Sequence, residues 1–261
     1  MLVENTLKPR HTWEVALSAG KDKRENFERL LREGKLGGLA VLRNLRLMLA
    51  SGVDPQLIRE RLDTGVARAL PFRFVTAARH APRLEDAIEK AMLAGVAGLA
   101  KLPGSTELVV DVSGLMNGKL SKMSETSRMD AAAGLAILLR EKAEVLSVAT
   151  FSNECVELPA RCGFALRDAI VNSQPHNATY LKRALESLRG KRDWRALDRL
   201  MVVTDEQVHD GIVPAWTPRA YVVNGAPYKH GVSYGNGWTH VDGWSERIFD
   251  YIAAAELEEA A

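Results

Sequence analysis

Residues 109–116 read VVDVSGLM, so that apolar and β-branched residues lead directly into Asp111, Ser113 and Gly114. A short apolar run of this kind predicts a buried strand, and the polar residues after it predict a turn at the carboxyl end of that strand. Carboxylate and hydroxyl oxygens, with neither His nor Cys beside them, are the ligands that a hard cation such as Mg²⁺ prefers. The stretch therefore predicts a binding site where a strand ends.

Two later stretches carry oxygen ligands that can complete such a site. Residues 176–179 read HNAT and place Thr179 at the head of a helix, while residues 200–205 read LMVVTD, a second apolar strand that ends in an Asp. Ligands of open α/β sheets bind outside the carboxyl ends of the strands, so these side chains meet if the strands are neighbours. We expect one site for a divalent cation, formed by Asp111, Ser113, Thr179 and Asp205.

Strands and helices alternate after residue 104, which predicts a doubly wound α/β domain over residues 104–261. The predicted strands cover residues 107–112, 144–151, 154–158, 200–204 and 219–223. The predicted helices cover residues 128–142, 164–171 and 179–189, followed by a closing helix from 244 or 245 to 257. The polar residues 117–127 are expected to form a loop over the Asp111 turn.

Residues 1–103 show helical periodicity and no strand pattern. The predicted helices lie at residues 12–19, 23–34, 36–51, 54–66, from 71, and from 82 towards 102. Asp54-Pro55 is a favourable start, because Asp caps a helix and Pro is tolerated at its first position. Helices joined by short turns predict a short, HEAT-like α-solenoid of antiparallel pairs, so the fold class is α followed by α/β.

The charge of the chain is unevenly distributed, although its net value is only +2. Residues 1–103 carry 18 Lys and Arg against 12 Asp and Glu, whereas the remainder carries 17 against 21. A basic first part permits contact with an anionic partner.

The two cysteines, Cys155 and Cys162, fit neither a zinc site nor a disulfide scaffold. We expect a cytoplasmic protein, because the sequence has no signal peptide and no apolar run long enough for a membrane span.

Motifs of common enzymes are missing. The sequence contains no G-x-x-x-x-G-K-[ST] or G-x-G-x-x-G phosphate loop, and Ser113 is not in a G-x-S-x-G nucleophile elbow. An aspartyl phosphatase turn needs a second Asp where Ser113 stands. These observations predict a binding protein rather than an enzyme.

The three oxygen-bearing stretches resemble the metal-ion-dependent adhesion site of von Willebrand factor A domains. That site has an Asp-x-Ser-x-Ser turn after the first strand, a Thr from a later loop, and an Asp after a later strand. Asp111, Ser113, Thr179 and Asp205 match this pattern in order, and Leu115 stands in place of the second Ser. The resemblance implies Mg²⁺ or another divalent cation with an open position for an acidic oxygen of a partner.

Other strings along the chain resemble the TROVE proteins of the Ro ribonucleoprotein autoantigen family, in their bacterial and phage forms. These strings are RHTWEVALS at 10–18, LRNLR at 42–46, LPFRF at 70–74, RMDAA at 128–132, TDEQ at 204–207 and WTHVDG at 238–243. The resemblance implies an RNA-binding ring that takes single-stranded 3′ ends and small structured Y RNAs, or misfolded non-coding RNA, in RNA quality control. It does not imply an enzyme.

The helical part of this chain is several times shorter than that of the family. Six helices cannot close a ring, so the resemblance implies a protein partner that supplies helices, assembly of several copies, or loss of the central hole. An alternative function follows from the last case. The chain would then be a metal-dependent protein-interaction module that has lost RNA binding, and magnesium rather than salt would control its contacts.

Arginines of the helical part are the predicted RNA contacts. Arg43 and Arg46 lie three residues apart, which places them on one helix face with Asn44 beside them, and Arg73 belongs to a later helix. Arginine can hold phosphates through paired hydrogen bonds, so these four residues form the predicted RNA site. The alternative is a solvated or ion-paired helix face. Tyr234, Trp238 and Trp244 are further candidates for base stacking or for packing in the core.

Overall fold

A computed structural model describes residues 22–259, except 65, 67–68, 70, 99, 192, 212, 227–231, 233–235 and 246. The first part contains α1 (Lys23–Arg32), α2 (Gly38–Ala50), α3 (Pro55–Asp63), α4 (Pro71–His80) and α5 (Glu85–Val96). The second contains β1 (Leu102–Asp111), α6 (Arg128–Lys142), β2 (Ala143–Phe151), β3 (Cys155–Glu157), α7 (Gly163–Val171), α8 (Leu181–Arg189), β4 (Arg199–Thr204), β5 (Ala220–Asn224), β6 (Trp238–Asp242) and α9 (Ile248–Glu259). The fold is therefore helical and then mixed α/β.

Local capping explains where several helices begin. Asp54 accepts a hydrogen bond from the Gln56 amide at 2.9 Å and Pro55 opens α3, so the start predicted from Asp-Pro is confirmed. Ser127 and Asp130 form a reciprocal capping box at the start of α6. No helix within the described ranges is both long and apolar enough to cross a lipid bilayer.

The six strands form one sheet in the order β3-β2-β1-β4-β5-β6. Strands β2, β1, β4, β5 and β6 run parallel, and only the short edge strand β3 is antiparallel. Val110 pairs with Val203, so β1 and β4 are central neighbours whose carboxyl ends lie together. The assumption on which the predicted strand-end site depended is therefore correct.

Successive residues of β1 point into different cores. Leu108 and Val110 belong to a large core shared with α1–α7 and α9, whereas Val109 packs in a second core with α8. Both faces of the sheet are thus covered by helices, as the continuous apolar strands predicted. The large core also runs without interruption from the first helices to the sheet. The predicted division into residues 1–103 and 104–261 stays a prediction.

Helix α4 lies directly against α6, and the two helices meet at Gly134. A Cβ atom at Gly134 would lie 2.7 Å from the backbone nitrogen of Phe72 and 2.8 Å from its Cα atom. Because backbone atoms cannot yield as the end of a flexible side chain can, only glycine fits this crossing. The close contact fixes the first part of the chain against the sheet domain.

We expect Gly134→Ala to destabilise the protein by about 2 kcal/mol, because the added methyl group must push two helices apart. Alanine in an ordinary helix interior would instead stabilise by about 1 kcal/mol relative to glycine. Urea unfolding measures the change in the free energy of unfolding. Gly190→Ala is the control, since its nearest neighbours would lie at 3.6 Å and 3.8 Å. A stabilising effect of Gly134→Ala would contradict the close crossing.

The structure differs from the sequence prediction at the junction between the two parts. Helix α5 ends at Val96 rather than near residue 102, because Gly98 has a φ of 79°, a left-handed conformation that breaks a helix. Strand β1 consequently starts at Leu102, five residues earlier than predicted, with a register irregularity between Leu102 and Ser105. Strand β6 was not predicted. The predicted helix at 12–19 and the stacking candidate Tyr234 lie outside the described residues.

Candidate functional site

The ends of β1 and β4 bring two buried aspartates to one edge of the sheet. Asp111 ends β1, and Asp205 directly follows β4. The Thr204 hydroxyl donates to Asp111 Oδ2 at 2.6 Å, and the Ser113 amide donates to Asp111 Oδ1 at 2.8 Å. We refer to Asp111, Ser113 and Asp205 as the strand-end site. The structure therefore unites three of the four predicted cation ligands.

Burial dominates the electrostatics of Asp111. Its carboxyl group is fully buried, and this desolvation raises its pKa from 3.8 to about 6 against the opposing hydrogen bonds from Thr204 and Ser113. The neighbouring charge of Asp205 adds to the increase. Because the folded carboxyl keeps its proton to higher pH than the unfolded one, its contribution to stability is lost as pH rises from about 4 through about 6.

We expect Asp111→Asn to remove this pH dependence. On going from pH 5 to pH 7.5, the variant should gain about 1 kcal/mol of unfolding free energy relative to the wild type. Urea unfolding in EDTA measures it. The control is Asp198→Asn, because hydrogen bonds from Ser105 lower the pKa of Asp198, so it titrates below this window. If the unfolding free energies of the wild type and Asp111→Asn change in parallel with pH, the pKa of Asp111 is not raised in the folded protein.

Thr179 lies on the loop before α8, and this loop contacts the turn after β1 through the Asn177 carbonyl, which accepts from the Gly114 amide at 3.4 Å. Its amide donates to His209 Nδ1 at 3.2 Å, and its carbonyl accepts from the His209 amide at 2.9 Å. Among the described residues, no hydrogen bond joins the Thr179 side chain to either aspartate. The Ser113 hydroxyl is buried beside the Asp111 carboxylate, whose pKa it lowers. The cation roles of these residues stay predictions.

Glu206 contacts the edge strand β6 through its side chain. It adopts a φ of 60°, the only left-handed conformation among the described residues other than glycine, so the chain turns sharply after Asp205. Its buried carboxylate lies 3.3 Å from His240 Nδ1 on β6. This charge joins the end of β4 to the edge strand β6.

Arg128, at the first position of α6, contacts the strand-end site directly. Its Nη1 donates to Asp205 Oδ2 at 3.0 Å and to the carbonyl of Leu115 at 3.2 Å. From the sequence, Arg128 was expected only as the first residue of a helix and of the RMDAA string. The sequence nevertheless indicated a special role for Arg128. A positive charge in the first turn of a helix is unfavourable beside the positive end of the helix dipole, so it calls for a negative partner nearby.

The residues at the strand ends fit a tightly held divalent cation poorly. One carboxylate, Asp205, is already paired with Arg128, and Leu115 offers no side-chain oxygen where the resembling pattern has a hydroxyl. Mg²⁺ prefers six oxygens in a near-octahedral arrangement. Across the described ranges, no group of three or more His, Cys, Asp or Glu side chains is placed to hold a metal.

A second candidate site lies between α2, α4 and the loop at 118–127. This groove, of about 470 Å³, is the arginine groove. It is lined by Leu39, Leu42, Arg43, Arg46, Arg73, Thr76, Ala77, His80, Met123, Ser124, Glu125 and Thr126. Three of the four predicted RNA contacts therefore share one groove, although they come from two helices.

The arginines of the groove have no ion-pair partner within the part of the chain that the structure describes. Among the described residues, no carboxylate forms an ion pair with Arg43, Arg46 or Arg73, although thirteen other Lys and Arg side chains form such pairs. Burial lowers the pKa of Arg73, and repulsion from Arg43 lowers it further. An anion bound between these guanidinium groups would relieve that repulsion.

Asn44 is separated from the groove. Its side-chain amide donates to the carbonyl of Ala40 at 2.8 Å, one turn back along α2.

His80 lies inside the groove, 3.2 Å from Glu125, and sequence reasoning missed it. Trp238, a candidate for base stacking, is buried and donates to the carbonyl of Val213 at 2.7 Å, so it anchors β6. The RNA roles of the arginines stay predictions.

A comparison with models of protein families identifies the family of this chain. The model of the TROVE domain matches residues 6–183, more than half of the chain. The chain belongs to the TROVE domain family. The match crosses residue 103 and continues through β1, α6 and α7 to the start of α8. It thus includes the arginine groove and most of the strand-end site.

The fold of the TROVE chain is similar to that of a solved Ro protein. It is similar to the Ro (RSR) protein of Deinococcus radiodurans, with a TM-score of 0.64 and 20% identity over 89% of this chain and 55% of that chain. The likeness supports the fold, and the chain spans about half the length of that protein. No curated protein matches the sequence.

Two further structures align less well. The BatB protein of Bacteroides thetaiotaomicron has a TM-score of 0.42 and 12% identity over 60% of this chain and 98% of that chain. The PilB minor pilin of Streptococcus sanguinis, in a D319A mutant, has a TM-score of 0.38 and 11% identity over 63% of this chain and 62% of that chain. These scores are too low to support a statement about function.

Proposed function

We propose that this TROVE chain is an RNA-binding protein of the Ro type that holds RNA phosphates in its arginine groove. The observation that carries the proposal is the position of Arg43, Arg46 and Arg73 around one groove, where no described carboxylate forms an ion pair with them. Guanidinium groups bind phosphate oxygens through charge-assisted hydrogen bonds. The groove volume lies in the range of about 300–1,000 Å³ that is typical of small-ligand sites. It therefore suits a short backbone segment rather than a duplex.

Single-stranded RNA suits this groove better than a helix does. Double-stranded RNA is recognised across wide grooves that span many base pairs, whereas a flexible strand can place successive phosphates into a narrow cleft. Leu39 and Met123 are exposed at the groove and offer apolar contact to a base. The proposed ligands are Y-like or misfolded non-coding RNAs, bound in cytoplasmic RNA quality control without catalysis.

Fluorescence anisotropy with a labelled hairpin RNA that has a single-stranded 3′ tail tests this function. We expect binding that requires the tail, with the tailless hairpin as the control. The proposal fails if the tailed RNA does not bind at low salt, or if the two RNAs bind equally. Sedimentation of the bound complex shows whether several copies, or a protein partner, are needed to complete a ring.

We also propose that the sheet is a von Willebrand factor A-like domain, and that the helices before it are the start of a HEAT-like array. The central β1 and β4, the antiparallel edge strand β3 and the carboxylates at the strand ends support the first assignment. The alternative function is a metal-dependent protein-interaction module. The buried Ser113 hydroxyl beside the Asp111 carboxylate favours it. EDTA distinguishes the two functions. It should leave RNA binding in the arginine groove unchanged, whereas a metal-dependent contact with a protein should be lost.

A further inference from the structure

The guanidinium group of Arg128 lies where the strand-end site would place a cation. One nitrogen, Nη1, bonds both the Asp205 carboxylate and the Leu115 carbonyl. The Asp205 side chain is fully buried, and only 10% of the Arg128 side chain is exposed. A single positive group thus joins the turn after β1 to the end of β4.

Arg128 is held in this position from several sides. Its amide donates to the carbonyl of Gly118 at 2.9 Å, and the capping box of Ser127 and Asp130 fixes the start of α6. The guanidinium group lies in the turn after β1, where a Cβ atom at Gly118 would be 3.0 Å from the Leu115 carbonyl oxygen and in ordinary contact with Arg128 Cζ at 3.5 Å. The charge is therefore built into the fold and does not depend on a flexible surface side chain.

We infer that Arg128 is the resident cation of the strand-end site, so that this site keeps its shape without a divalent metal ion. The guanidinium group neutralises Asp205, which leaves one carboxylate and the hydroxyl groups as donors, a weak set for Mg²⁺. A metal ion would have to displace Arg128 from a buried carboxylate, and an unpaired buried arginine is unfavourable. The inference does not depend on the proposed RNA function.

Direct Mn²⁺ binding distinguishes this role of Arg128 from a simpler explanation. The simpler explanation is that Leu115 alone prevents binding, because it lacks the hydroxyl oxygen of the resembling pattern. Leu115 is 45% exposed, so Leu115→Ser leaves the core intact. We compare the full chain, Leu115→Ser, Arg128→Gln and the double variant by Mn²⁺ electron paramagnetic resonance, which reports the free ion.

The wild type and Leu115→Ser are expected to bind no Mn²⁺ at about 1 mM, the weak end of protein sites for hard cations. The double variant is expected to bind at least about tenfold more tightly than Leu115→Ser, because Asp205 is then free. Binding by the wild type or by Leu115→Ser at this concentration would overturn the inference. A double variant that binds no better than Leu115→Ser would overturn it as well.

Thermal unfolding in EDTA and in Mg²⁺ gives a second readout that does not require an active site. The wild type should melt at the same temperature in both solutions, whereas Arg128→Gln should melt lower in EDTA and recover in Mg²⁺. If Arg128→Gln does not fold in EDTA, refolding in Mg²⁺ supports the inference, and failure to refold contradicts it.

Discussion

Replacing Arg43, Arg46 and Arg73 together with alanine is expected to weaken RNA binding by about 100-fold. The estimate assigns about 1 kcal/mol to each lost phosphate contact, and 1.4 kcal/mol corresponds to a factor of ten in affinity. The three side chains are exposed or half-buried and form no ion pair with a described carboxylate, so their loss should leave stability nearly unchanged. Anisotropy titrations with the 3′-tailed RNA measure the change.

The dependence of affinity on salt gives an independent measure of the same contacts. Each phosphate contact with single-stranded nucleic acid contributes about 0.7 to the slope of log affinity against log salt, so the triple variant should lose about 2 from that slope. The control replaces Arg161, Lys182 and Arg195, three exposed cations outside the groove, with alanine. Equal losses in the two triple variants would mean that general positive charge, and not the groove, binds the RNA.

Glu256→Gln is expected to lower the free energy of unfolding by about 3 kcal/mol, because it leaves the fully buried Arg199 without its charged partner. Glu256 on α9 accepts from Arg199 Nε at 2.6 Å, and Arg199 Nη2 also donates to it. The Tyr221 hydroxyl on β5 donates to the same carboxylate at 3.0 Å. These bonds attach the last helix to the sheet.

The matched control is Glu258→Gln, which removes the same charge from an exposed position on the same helix. It should change stability by less than about 0.5 kcal/mol, as is usual for surface positions. Urea unfolding followed by circular dichroism measures both variants. If Glu256→Gln costs no more than its control, the buried pair does not hold α9 to the sheet.

The sequence predicted best the helices and strands whose capping residues and apolar pattern both indicate the same buried segment. Helix α6 was predicted at its observed bounds, because its capping residues and its apolar composition indicate the same segment. The apolar residues 108–110 of β1 and 200–203 of β4 were recognised as strand, as expected for segments covered on both faces of a sheet. Strand β6 was missed, because it is a five-residue edge strand in which only Trp238 is buried.

The parts of the sites that escaped prediction depend on contacts between distant residues. Arg128 and Asp205 are 77 positions apart, and no local pattern predicts that one reaches the other. The arginine groove likewise needs the loop at 118–127 to fold against α2 and α4. The sequence could identify Arg43 and Arg46 as neighbours on one helix face. It could not place Arg73 opposite them or direct Asn44 back to its own helix.

Photo-crosslinking tests the central claim, that RNA occupies the arginine groove, most directly. The tailed RNA carries 4-thiouridine in its 3′ tail, and mass spectrometry identifies the peptides that become linked. We predict that crosslinks concentrate on the loop at 118–127, where Met123 is 96% exposed at the rim of the groove, and on α2. Crosslinks that instead concentrate on the opposite end of the sheet, around Trp194 and Trp216, would contradict the account.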